Sequence, residues 1–265
     1  MTTAEHVAPP VGQLLCRWRE HRRLSQMDLA LEADVSTRHL SFVETGRSAP
    51  SRDMVLRLSE HLELPLRERN QLLLAAGYAP VYSHAQLDAP ELAEVRAAVR
   101  QVLVGHEPYP AAAVDRVWNL VDANAGLAML TPGVAPALLQ PPSNAMRLAL
   151  HPDGLAPRIV NLGEWRAHLL ARLRRQVAMT ADPTLAELLE EVRAYPCDDP
   201  EPEVEIPGAG EVVTPLRLRH GDGDGELAFF STVTTFGTPL DVTVAELAIE
   251  SFFPADAATA AALRG

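Results

Sequence analysis

Two arginines stand where an anion is needed. In the helical pattern over residues 161–178, Leu162, Trp165, Leu169 and Leu173 form an apolar stripe. Arg172 follows Leu169 by three residues and Trp165 by seven, which puts it on or beside that stripe. Arg147 likewise precedes Leu150 on a predicted helix over 144–150. A guanidinium bordering an apolar face must meet an anion, either a carboxylate of the chain itself or the acid group of a ligand. Both chemistries suit arginine, because two of its N–H groups can meet both oxygens of a carboxylate. A ligand carrying that acid would also need apolar walls, for which Trp118, Trp165, Phe230 and the Leu169 stripe are the candidates.

Residue types that do covalent or metal chemistry converge nowhere else. His151, His168 and His220 fall on a helix end, a helix and a strand end, without metal-pair spacing. Cys16 and Cys197 lie far apart with no CxxC, so neither a disulfide framework nor a zinc site is expected. The GDGDG run over 221–225 has the start of a calcium loop, but Val233 stands where the position-twelve glutamate belongs, so a hairpin turn is expected. No Walker A loop, nucleophile elbow or GxGxxG after a strand is present. The expectation is no enzyme, no catalytic residue, no metal and no resident cofactor.

The elements that must position these groups fall into two regions of different charge. The 265 residues carry a net charge of −12, and every basic residue other than histidine is an arginine. Residues 1–80 hold ten arginines and ten acids, so the whole excess of acid lies in residues 81–265. An acidic chain does not coat nucleic acid or anionic membrane indiscriminately. No apolar run approaches the ~20 residues of a membrane span, and the start MTTAEHVAPP lacks signal-peptide character. A cytoplasmic location is expected.

Residues 1–80 read as five short helices. The first covers 11–23, with Leu14, Leu15 and Trp18 on one face; the second opens at the N-cap Ser25; a tight turn at Asp34, Val35 and Ser36 leads to a third over 37–44. Gly46 ends it, Ser51 caps a fourth that buries Met54, Val55, Leu58 and Leu62, and Pro65 starts a fifth that stops at Gly77. Two short helices joined by a tight turn, polar residues opening the second, form a helix-turn-helix.

The stretch LSQMDLALEADVSTRHLSFVETGRSAPS resembles the DNA-binding domain of the XRE family of phage-repressor-type regulators. The resemblance implies a phosphate contact at Gln26, base-reading positions at Thr37, Arg38, Ser41 and Phe42, and a DNA-binding place for the third helix's cap, Ser36. It implies a second phosphate contact at Arg47 and an ion pair between Arg19 and Glu44. The chemistry is compatible: the planar fork of Arg38 can meet both acceptors of guanine, and Phe42 could touch a thymine methyl or pack. The implied partner is a double-stranded DNA operator.

After a proline-bracketed linker over 81–90, residues 91–265 mix both periodicities. A helix face runs through Leu92, Val95, Val99 and Val102; strand-like runs follow at 111–114 and 117–121, with a turn at 115–116. Helices are expected at 123–130, 144–150, 161–178 and from Asp182–Pro183 onward. Residues 196–211 read as an acidic, proline-rich loop. Alternation at 216–219 and 227–234 and a run carrying Leu247, Ile249 and Phe253 then give an antiparallel sheet, and Asp256 caps a last helix. The architecture expected is an all-α five-helix domain followed by an α+β domain with an antiparallel sheet.

The order of AAGYAP, VWNLVDAN, NAMRLALHPDG, and NLGEW followed by LLARLR, behind such a helix-turn-helix, resembles the MmyB-like regulators. That resemblance implies a PAS-like C-terminal domain that binds a ligand, a fatty acid being one known kind of occupant. The matching positions are Trp118, Asn119, Asn124, Arg147, Trp165 and Arg172. The chain departs after Leu189, where Glu191-Val-Arg-Ala-Tyr195-Pro replaces the family's serine–proline segment and aromatic. The function expected is a transcription regulator, a homodimer, that senses a small apolar or acidic ligand. Two alternatives remain: a C-terminal domain that only dimerises or docks a partner, and an enzyme fused to a DNA-binding module.

Overall fold

The computed structural model describes residues 10–200, 214–220 and 225–264. It divides into two compact units, one holding the described residues up to His84 with Leu240–Val242, the other holding the rest.

The first unit is helical. Its helices are α1 (Val11–His21), α2 (Gln26–Glu32), α3 (Thr37–Glu44), α4 (Arg52–His61) and α5 (Leu66–Ala75). Apolar residues at helical spacing put Leu15, Leu29, Leu40, Leu58, Leu62 and Leu73 in one buried core. Side chains satisfy the amides that helix starts leave unpaired. Ser25 and Asp28 form a reciprocal capping box, Ser36 accepts from the His39 amide, and Ser51 accepts from the Met54 amide. Gly12 sets how closely α1 meets α3: a Cβ there would stand 2.3 Å from the Val43 carbonyl oxygen. The segment after α5 is tied back to it, because Asn70 accepts from the amides of Val81 and Tyr82 and donates to the Tyr82 carbonyl.

The second unit is built on a five-stranded antiparallel sheet. Strands β1 (Ala111–Val114), β2 (Leu120–Ala123), β3 (Leu216–His220), β4 (Gly225–Thr235) and β5 (Ala248–Pro254) lie in the order β2-β1-β5-β4-β3. Helix α6 (Ala93–Gly105) covers one face through Val99 and Leu103, packed on Ala111, Ala113 and Ile249. The other face carries α8 (Ala145–Leu150), α9 (Leu162–Thr180) and α10 (Pro183–Arg193), whose apolar sides join Leu216, Leu218, Leu227 and Phe229, while the short α7 (Pro136–Leu139) packs beside α8. Because both faces are covered, the central strands β1 and β5 are buried on both sides. Asp256 caps the closing helix Ala257–Ala262.

Three local expectations shift. The run expected as a strand over 117–121 starts three residues later, because Asp115 accepts from the amides of Val117 and Asn119 and holds 115–119 as a turn. Trp118 in that turn has φ +70°, a backbone conformation bulky residues rarely adopt. The helix expected over 123–130 is a 3₁₀ segment, Ala125–Leu130, capped by Asn124. Most of the acidic loop over 196–211, and four of the five residues of GDGDG, lie outside the described residues.

Candidate functional site

In the first unit, α2, the turn at 33–36 and α3 form the helix-turn-helix. Asp34 takes a left-handed conformation (φ 52°) in the turn, and the Val35 amide bonds back to the Ala30 carbonyl. Leu40 and Val43 bury one side of α3, which leaves Thr37 and Arg38 exposed and Ser41 and Phe42 half-buried. The guanidinium of Arg38 lies over the Phe42 ring at 5.3 Å, and that of Arg47 approaches the same ring at 6.0 Å. Such cation–π contacts restrict both side chains without consuming their N–H donors. Gly46, at φ +74°, lets the chain turn after α3, and the Arg47 and Ser48 amides bond to the Phe42 carbonyl. Ser36 spends its hydroxyl oxygen on the His39 amide, so its observed role is the cap.

Behind this surface, Arg19 and Glu44 make a bidentate pair, Nε to Oε1 at 2.7 Å and Nη2 to Oε2 at 2.9 Å. Gln26 donates to Glu44 Oε2 at 2.7 Å, and Arg19 also donates to the Leu24 carbonyl. Burial alone pushes the Glu44 carboxyl upward; the bonds from Arg19 and Gln26 outweigh it and hold the group below its ordinary value. One hydrogen on the Gln26 amide nitrogen remains for a phosphate. Sequence patterning alone does not reveal the Gln26–Glu44 bond.

The second unit contains a cavity of about 380 Å³. Its walls come from several elements: Val114 and Trp118 near β1, Met146 and Ala149 on α8, Trp165 and Leu169 on α9, Phe252 on β5. Volume and apolar lining are those of a small-molecule site. Trp118, Trp165 and Leu169 are therefore brought together. Phe230 is not: it lies on the other face of β4 from the buried Phe229, stacked on Phe253 at 5.3 Å. Its expected place as a wall is corrected by strand alternation, which sends adjacent side chains to opposite faces of the sheet, Phe229 into the core and Phe230 away from it.

The two arginines find carboxylates of the chain. Arg147 grips Glu191 with two bonds of 2.8 Å, and Tyr195 donates to the same carboxylate at 2.6 Å. Thus the segment that departs from the family pattern supplies the partner of a family arginine. Arg172 donates to Glu250 Oε1 at 3.0 Å and lies 4.3 Å over the Trp118 ring. Neither arginine lines the cavity, whereas Glu250 does. The indole N–H of Trp118 donates to Gln176, which donates to the Arg116 carbonyl, so the strained tryptophan is held from several sides. Asn124 donates to the Leu103 and Tyr109 carbonyls and accepts from Ala111 and Leu127, and Asn119 bonds Asp115 and Asn144. Those two asparagines build the frame. Glu250 and Gln176 were not legible beforehand, because a lone acid in a strand and a lone amide in a helix usually mark solvent.

Among the described residues no cluster of three or more potential metal ligands occurs, and no helix is long and apolar enough to cross a membrane. A helix-turn-helix domain model matches residues 10–72. The model of the MmyB-like transcription regulator ligand binding domain matches residues 95–265, well over half of the chain. No curated protein matches it. The chain belongs to the MmyB-like transcription regulators: a DNA-binding helix-turn-helix domain joined to a ligand-binding domain.

Proposed function

We propose that this regulator is a cytoplasmic homodimer that reads a double-stranded operator through Thr37, Arg38 and Ser41, anchors on phosphates through Gln26 and Arg47, and senses a small, apolar, long-tailed molecule of the kind to which fatty acids belong. The observation that carries the sensor half is the apolar cavity of about 380 Å³ inside a ligand-binding domain. A domain used only for dimerisation or docking would be expected to fill that space, since protein interiors are close-packed. The mechanism is a population shift: a ligand that binds one arrangement of the protein better changes operator affinity by the difference, typically about 5–150-fold. No catalytic step is needed.

Two measurements on the purified full chain test this. Native mass spectrometry is expected to show a small apolar molecule that organic extraction removes. Operator duplexes selected from a random pool are expected to bind with an affinity that changes when the extract is returned. A ligand-free protein whose operator affinity ignores the extract would put the docking alternative ahead.

A further inference from the structure

Strand β4 outruns its outer neighbour. It spans eleven residues, and β3 pairs with it only from Gly225 to Phe229. On the other side β5 accompanies it from Phe229 to Thr235, in a register without a bulge. Among the described residues no strand pairs with the outer edge of Ser231–Thr235. Thr232, Val233, Thr234 and Thr235 are all exposed, Val233 at 46%, although alternation sends neighbours to opposite faces. The second half of β4 is thus bare on both faces and along one edge. Such an edge offers unpaired N–H and C=O groups to another strand, and natural sheets guard it with lysine, proline, a bulge or an inward charge. This stretch carries none of them. From Leu227 to Leu240 there is no charged side chain, and the threonines and valine of 232–235 are strong strand formers.

Charge and symmetry say what covers the edge. The chain carries −12, with the excess acid in residues 81–265, so two copies repel each other over most of that surface. Along the uncharged run they meet no such repulsion. An antiparallel edge is also its own complement, the condition for a two-fold contact between identical chains. We propose that Ser231–Thr235 pairs with the same edge of a second copy of this chain, about a two-fold axis at Val233, joining two sheets into one. Phe230 and Phe236, three residues to either side of Val233 and both half-buried, then stand opposite each other across the axis and add apolar area. The proposal rests on the homodimer reading and names its contact.

The test is sedimentation equilibrium of the full chain, joined to hydrogen exchange at concentrations above and below the dissociation constant. A reversible dimer is expected, with the amides of 231–235 slowed only when it forms. Val233→Lys sets two cations opposite each other and should raise the dissociation constant at least about tenfold, although it lowers the net charge that holds the copies apart. Thr238→Lys makes the same charge change at an exposed position beyond the strand and should not weaken the dimer. A dimer equally stable in both variants, or one whose 231–235 amides exchange fast at every concentration, puts the contact elsewhere and overturns the edge while leaving the homodimer. Amides slow at every concentration show the chain covering its own edge, which also overturns the proposal. A monomer at all concentrations removes the homodimer and the proposal together. The wild-type exchange pattern decides even if Val233→Lys fails to fold.

Discussion

Arg38 and Phe42 stack across one turn of α3, guanidinium carbon 5.3 Å from the ring centroid, with Arg47 on the same ring at 6.0 Å. The aromatic thus acts as a rest for two cations that have different expected duties on DNA.

Those duties separate experimentally. Arg38→Ala should cost roughly 1–3 kcal/mol at one base pair of a selected operator and relax specificity there. Arg47→Ala should weaken all duplexes alike and flatten the salt slope by about one. Phe42→Ala should partly reproduce both effects, because it frees both side chains; Phe42→Leu would do the same if stacking rather than packing matters. Fluorescence anisotropy on cognate, singly substituted and scrambled duplexes decides this. An equal loss on all duplexes for Arg38→Ala would make it a backbone contact.

Glu44 is 9% exposed and Arg19 8%. Removing one partner of a buried pair leaves a charge uncompensated, at a cost of roughly 3–5 kcal/mol. Arg19→Ala should therefore lower the opening free energy of α1 and α3 amides in hydrogen exchange of the full chain, while exposed Arg17→Ala changes it little. Arg22 is a poor control, since it donates to the Leu62 carbonyl and lies over Trp18. Equal exchange in the Arg19 and Arg17 variants would show the pair to be solvated.

The helix-turn-helix was legible because each of its helices carries its own punctuation: Ser25, Ser36 and Ser51 cap starts, and Gly46 and Gly77 follow ends. Its core follows from apolar spacing alone. The sheet was legible as a set of strands, but the direction in which each side chain points was not. Phe229 and Phe230 are adjacent aromatics of β4, the first buried and the second only half-buried, and residue type alone does not say which of the two points inward. Glu250 was invisible for the same reason, lying on a middle strand where an acid would ordinarily argue for solvent. Arg147 and Arg172 were correctly recognised as needing anions; which anions depended on residues 44 and 78 positions away, Glu191 and Glu250.

The Glu44 carboxyl is held below its ordinary value by Arg19 and Gln26. A depressed folded pKa contributes stability above the unfolded value and loses it as pH falls through the folded one. The helical unit should thus weaken on acidification below about pH 4.5, the ordinary glutamate value. Glu44→Gln should be less stable at neutral pH but show a shallower acid loss. The check is amide exchange of α1 and α3 measured across that range. Parallel acid profiles for wild type and variant would exclude Glu44 as the titrating group.

Tyr195 gives the opposite sign at the alkaline end. Burial, then its bond to Glu191, pushes its phenol up to about 12. A raised phenol pKa means that the neutral form is the one the fold prefers, so its contribution is complete below pH 10 and lost as pH rises through about 12. What is lost is the clasp between α8 and α10, in which Arg147 and Tyr195 share one carboxylate. Near-ultraviolet absorbance should therefore show one of the four tyrosines ionising late, and Tyr195→Phe should delete that component. Glu191→Gln should bring it earlier, by removing the acceptor and its charge. Arg147→Ala should make it later still, because the guanidinium favours the phenolate. The Arg147–Glu191 pair is itself about two-fifths exposed on each side, so its loss should cost under about 1 kcal/mol. Because Arg147 lies off the cavity wall, Arg147→Ala should leave binding of the extracted small molecule unchanged while it moves the Tyr195 titration. Loss of binding in that variant would instead return Arg147 to the ligand site.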